Sequence, residues 1–164
     1  MTPNSDARTG YRRGLAVAVA AVALAVSAGT AIAGSCPAGQ AGENLISSGP
    51  NAPVGVTDEV IGQIDVSAQI PEIPGHLLRT RMLVVQPGGV VPFHSHAMRP
   101  ALIYMLEGEM SEFSSTCIVP IVHRAGEIAE ETVGVAHWWQ NTGSVPARLL
   151  SSDIVPSPDD ASMM

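Results

Sequence analysis

Between Val60 and Val155 the chain is a succession of short apolar segments cut by turn residues, and no stretch there keeps a helical period. Strands this short bury their apolar faces only by pairing into a sandwich or barrel. The segments are 60–66, 77–86, 90–94, 101–106, 110–113, 117–123, 128–130, 135–140 and 147–155. Pro71 and Pro74 punctuate the first gap, and Pro87-Gly88-Gly89 reads as a turn between the second and third segments. The prediction is one all-β domain over residues 54–156. An irregular arm rich in Gly, Ser, Pro and Asn (34–53) precedes it, and a flexible tail (157–164) follows.

Residues 1–33 have the layout of an export signal: basic Arg8, Arg12 and Arg13, an alanine-rich apolar run from Leu15, then Ala31-Ile32-Ala33 as a cleavage site. The run is just long enough to span a bilayer, but alanine drives insertion weakly, so cleavage is preferred over a permanent anchor. Arg12-Arg13 also permits a twin-arginine route, and the choice between the two routes stays open. The expected location is periplasmic or secreted, with no stable membrane association after cleavage. The mature chain would carry five arginines, no lysine and fourteen acids, a formal charge of −9. Nothing in it forms a basic patch, which argues against nucleic acid as a partner. In an oxidising compartment Cys36 and Cys117 are expected to pair and tie the arm to the body. A buried free thiol and a thiol near the site are the alternatives.

His94 and His96 stand one residue apart in a strand-like run, so both imidazoles leave the same face. That suits two ligands of one metal ion. The run from Gly88 has the spacing G-x5-H-x-H, with Gly108 twelve residues beyond His96. Downstream, Gly126 to Asn141 supplies His137 in the pattern G-x5-T-x-G-x2-H-x3-N. The two stretches resemble the two motifs of the cupins, with Thr132 where the second motif usually has proline. The resemblance implies a jelly-roll β-barrel (double-stranded β-helix), with one divalent metal held by His94, His96 and His137. Iron(II) is favoured; zinc, manganese, nickel and copper are the other options.

One position departs from the pattern. The family's glutamate ligand falls on Ala101, which cannot ligate. Glu107 and Glu109 lie about 20 Å or more along an extended strand from it, out of reach of the same ion. The expected centre is therefore three imidazoles without a carboxylate, a donor set known in some cupin dioxygenases acting on thiols and β-diketones. Losing the anion raises the charge of the centre and favours a small anionic or enolisable substrate. A dioxygenase is the leading functional reading. A non-catalytic module that binds a small ligand or metal, and a metal-assisted isomerase or hydrolase, are the alternatives.

Around the site, Arg99 is a candidate contact for a substrate anion, with a solvated loop arginine as the alternative. Ala101, Ile103 and Met105 share one strand parity and are expected to line the cavity; Trp139 shares the parity of His137 and would form a wall, with Trp138 facing outward. His123 reads as a surface or packing residue, and Asn141 as a backbone anchor. Arg79 and Arg81 either pair with acids or line the barrel. The expected partner is a small molecule, and cupins often pair as dimers, so a homodimer is expected too.

Overall fold

The computed structural model describes residues 35–157. The expected export signal and nearly all of the expected tail lie outside the described residues. Eight strands make the domain: β1 (Val54–Asp65), β2 (His76–Ser95), β3 (Ala101–Glu107), β4 (Glu109–Ser114), β5 (Ile121–Arg124), β6 (Ile128–Glu131), β7 (Ala136–Gln140) and β8 (Ala147–Pro156). They hydrogen-bond in the order β5-β4-β7-β2-β8-β3-β6, with β1 added along β2, and every pairing is antiparallel. The result is the expected cupin jelly roll, a nearly closed barrel. Alternation holds where one face is covered: on β3, Ala101, Ile103 and Met105 are buried while Leu102 and Tyr104 face out. The inward residues Leu83, Val85, Ile103, Met105, Met110 and Leu149 pack into one core with Trp139.

The run Pro87-Gly88-Gly89 is not a turn. It is a bend inside the single long strand β2, and this corrects the sequence reading. Before the bend β2 pairs with β8, from His76↔Pro156 to Val85↔Ala147; after it, β2 pairs with β7, from Val90↔Gln140 to Ser95↔Ala136. The strand thus crosses from one sheet of the barrel to the other. Gly88 takes φ +76, and a Cβ on Gly89 would meet Gln86 O at 2.7 Å and Val54 O at 2.8 Å. Asn141 clamps the bend. Its carbonyl accepts from Gly88 N at 2.9 Å, its amide donates to Gly89 O at 3.0 Å, and its side chain donates to Val85 O at 2.8 Å.

The arm lies against the β4 side. Cys36 and Cys117 form a disulfide, and Ala41 bridges Cys117. Gly42 and Leu45 donate to the carbonyls of Thr116 and Ser115, each at 3.0 Å. Further on, Gly49 sits flat on Trp138, where a Cβ would come within 2.6 Å of the indole; the indole's stacking partner is Phe113, 3.9 Å between ring centroids. Trp138 thus faces away from the core and is covered by the arm. Because Cys117 belongs to the arm's docking site, β5 starts only at Ile121, later than the expected segment at 117.

Candidate metal centre

The register of β2 and β7 sets the centre. His94 lies directly opposite His137, so both rings leave the same face, and His96 follows two residues later. His96 is past the end of β2 but is tied back by its amide, which donates to Val135 O at 2.9 Å. The three Nε2 atoms converge: His94 to His96 is 3.1 Å, His96 to His137 is 3.0 Å and His137 to His94 is 3.2 Å.

The other ring nitrogens reveal what those contacts are. Nδ1 of His94 faces Pro92 O at 2.8 Å and Nδ1 of His96 faces Arg99 O at 2.7 Å; a carbonyl only accepts, so both Nδ1 atoms donate. The Glu112 carboxylate only accepts, so Nδ1 of His137 donates to its Oε1 at 2.9 Å, although the indole N–H of Trp139 points at the same nitrogen from 3.1 Å. Burial pushes the pKa values of His94 and His96 down to about 4, against the hydrogen bonds to Pro92 and Arg99 that raise them, so these two rings are neutral. A neutral imidazole has one N–H. With it spent on Nδ1, the Nε2 atoms of His94 and His96 face each other as lone pairs 3.1 Å apart. That arrangement repels unless a cation sits between, and Nε2 atoms 3.0–3.2 Å apart suit one ion at the usual metal–nitrogen length of about 2.0–2.2 Å. His94, His96 and His137 therefore form a candidate metal site.

Two acids absent from the expected site stand behind His137. Glu112 is buried and shared: Oε1 accepts from His137 and Oε2 from His123 Nε2 at 2.9 Å. Burial opposes its charge, but the two histidines outweigh burial and hold its carboxyl well below the usual carboxylate range. Glu131, 3.4 Å from the same Nδ1 through Oε2, goes the other way, since burial and then the charge of Glu112 push it up. His123 is a packing residue, fully buried and stacked on Trp139 with centroids 4.4 Å apart. It is not a ligand of the triad. Glu112 was legible in principle, because it shares strand parity with Met110 on β4. Glu131 and Asp153 lie opposite Ala101 on the two flanking strands, so the alanine at the family's ligand position is bracketed by buried carboxylates. Among the described contacts of Glu131 is the far side of His137, and Asp153 serves arginines instead.

A cavity of about 350 Å³ opens over the triad, near the small end of ligand pockets. Ile103, Trp139 and Arg99 line it, together with Arg81 and Asp58. Ala101 and Met105 were expected in this wall; both are buried in the packed core and neither lines the cavity. Arg79 and Arg81 do both things left open by the sequence. Arg79 grips Asp153 with two hydrogen bonds, 3.1 and 2.8 Å, while Arg81 pairs with Asp58 at 2.6 Å and lines the cavity. Glu107 and Glu109 lie away from the triad, with Arg148 and Arg124 as partners.

Residues 81–153 match the Cupin_2 family, described as a cupin domain. Nectarin-1 of Nicotiana langsdorffii x Nicotiana sanderae is 28% identical over 104 residues, covering 60% of this chain and 45% of that protein. Germin-like protein subfamily 2 member 2 of Arabidopsis thaliana is 29% identical over 114 residues, covering 66% of this chain and 52% of that protein. The chain thus spans about half the length of these curated relatives. Among solved structures, oxalate oxidase in complex with the substrate analogue glycolate aligns with a TM-score of 0.47 at 22% identity, over 71% of this chain and 63% of that one. With the two histidine motifs, the barrel and the family match in agreement, residues 81–153 belong to the cupin family.

Proposed function

We propose that the protein is an exported cupin that binds one divalent metal through His94, His96 and His137, and that it acts as a dioxygenase on a small anionic or enolisable molecule. The observation that carries this reading is the convergence of three Nε2 atoms within 3.0–3.2 Å of one another, with the N–H groups of His94 and His96 spent on Pro92 O and Arg99 O. When bound, a redox-active metal such as iron(II) supplies open positions for substrate and dioxygen. The chain's own residues do the rest. Pro92 O, Arg99 O and Glu112 fix ring tautomer and orientation, as acceptors behind metal-binding histidines generally do. Val91, Ile103, Trp139 and Leu149 make the cavity wall apolar and limit water around the reacting molecule. Arg99, at the mouth, takes the anionic end of the substrate.

The Cys36–Cys117 disulfide supports export, since such bonds persist in oxidising compartments, and by chain entropy it contributes about 4 kcal/mol. An acidic surface without lysine supports a small-molecule partner over nucleic acid. A homodimer has a ready surface in the outward, exposed Leu102, Tyr104 and Ile128 on adjacent β3 and β6.

The test is metal analysis of protein purified without added ions, followed by oxygen uptake with thiols, β-diketones and catechol-like compounds. Bound iron with uptake on one class supports the dioxygenase. Bound zinc without uptake moves the protein to hydrolysis or to simple binding. No metal, and none taken up on titration, sinks every metal-based reading.

A further inference from the structure

Three arginines crowd one wall of the cavity. Arg79, Arg81 and Arg99 all reach Asp153, at 2.8, 3.6 and 3.7 Å, and the Asp153 side chain is fully buried. Asp58 adds a second acid, at 2.6 Å from Arg81. Three permanent positive charges against two carboxylates leave one unit uncompensated, at arginines that are partly buried and beside an Asp58 that is exposed.

The shortfall is not shared equally. Arg79 is bonded to Asp153 through two donors and does not line the cavity. Arg81 is bonded through both terminal nitrogens, to Asp58 and to Ser151 Oγ at 3.0 Å, yet its Nε is buried with no hydrogen-bond partner. Arg99 makes the weakest contact, 3.7 Å to an Asp153 oxygen that Arg79 and Arg81 also approach. Arg81 and Arg99 both line the same cavity as the three histidines. Two guanidiniums, tied to the buried Asp153 and to Asp58 and Ser151, which line the same cavity, thus stand at its wall with one surplus positive charge between them. A planar monoanion that accepts from both matches that geometry and charge.

We propose that Arg81 and Arg99 form a carboxylate receptor separate from the metal ligands, so that the cavity takes a small carboxylic acid whose second donor group (hydroxyl, thiol or enol oxygen) reaches the triad. The donor end of this assignment rests on the metal reading above; the carboxylate end does not. The inference narrows the substrate class, since a neutral β-diketone or catechol would leave the surplus charge unmet. It also makes Arg81 a specificity residue, a role that sequence spacing does not suggest, since it lies thirteen residues before His94 on the far side of the β2 bend.

The probe is 3-hydroxypropanoate, compared with 3-hydroxypropanamide, which has nearly the same shape and no charge. Binding to zinc-loaded protein is followed by calorimetry or ligand-observed NMR. The acid is expected to bind about tenfold or more tighter than the amide, the size of a charge-assisted hydrogen-bond pair. Arg99→Met and Arg81→Met should each erase most of that preference with zinc stoichiometry unchanged. Equal binding of acid and amide, or an undiminished preference in both variants, overturns the proposal. Because Arg81→Met strands Asp58 and risks misfolding, Arg99→Lys is the second variant. It keeps the charge and loses the fork, so a several-fold weaker acid at an unchanged melting temperature is expected, and full affinity overturns the paired-guanidinium assignment. In His94→Ala the acid should bind more weakly and still be preferred over the amide; loss of the preference there overturns the separateness of the receptor. If wild-type protein takes no zinc and yet shows the Arg99-dependent preference, the metal reading fails and the receptor stands.

Discussion

The two halves of β2 share one strand but carry opposite chemistry, and the inward parity changes between them, odd-numbered at Arg79 and Arg81 and even-numbered at His94 and His96 beyond the irregularity at Val91. Before the Gly88–Gly89 bend, Arg79 and Arg81 point inward as permanent cations. After it, His94 and His96 point inward as neutral imidazoles. The difference comes from the strand alongside. The first half pairs with β8, which sets Asp153 opposite Arg79 and Ser151 opposite Arg81. The second half pairs with β7, which sets His137 opposite His94. The neighbouring strand decides whether the inward side chain of β2 faces an acid and a hydroxyl or a second imidazole. One half therefore carries charge and the other sets imidazole nitrogens together, beside a single cavity.

The contrast can be broken at either side. The largest effect is expected from His94→Ala, which leaves two converging nitrogens of three; metal stoichiometry by elemental analysis should fall from one towards zero, with the fold retained by circular dichroism. On the other half, Asp153→Ala strands Arg79, Arg81 and Arg99 around a void, and unfolding in urea should show a loss of about 3–5 kcal/mol, as for a broken buried ion pair. Metal binding need not follow it down, and a parallel loss of metal at temperatures where the variant is folded would show that the halves are not separable. Glu112→Gln keeps the volume but weakens the acceptor behind His137. Metal affinity by competition titration should drop about 10–100-fold while His94 and His96 keep their own acceptors. Gly89→Ala strikes the bend between the halves, where a Cβ meets backbone oxygens at 2.7 and 2.8 Å; a loss of about 1–3 kcal/mol in the same urea assay is expected. The smallest effect belongs to Arg148→Ala, which removes an exposed pair with Glu107 and should cost under about 1 kcal/mol.

Much of this molecule could be read before any coordinates. Period-two alternation marked β3, β7 and β8 because each has one covered face, and the motif spacings brought His137 to His94 and His96 across more than forty residues. Other features resisted reading for physical reasons. Pro87-Gly88-Gly89 has the composition of a turn, and only pairing of β2 with two different partners turns it into a bend. Glu112 looks like any surface acid on a short strand; its parity with Met110 was the available signal, and what made it tolerable inside, His123 and His137, comes from two other strands. Ala101 and Met105 shared the inward parity of Ile103, but parity specifies a face of the sheet and not the depth along the barrel at which packing ends and the cavity begins.

The sequence by itself determined the strands, the cupin motifs, the three histidines and the missing carboxylate at Ala101, because all of these are periodicities and spacings along one chain. The tertiary structure decided which nitrogen of each ring faces inward, which acid neutralises which arginine, and which inward residues reach the cavity. Those depend on contacts between strands up to about eighty residues apart in the chain, such as Arg79 with Asp153. A chain records such contacts only as the identities of its residues; the barrel supplies the distances at which their charges and lone pairs act.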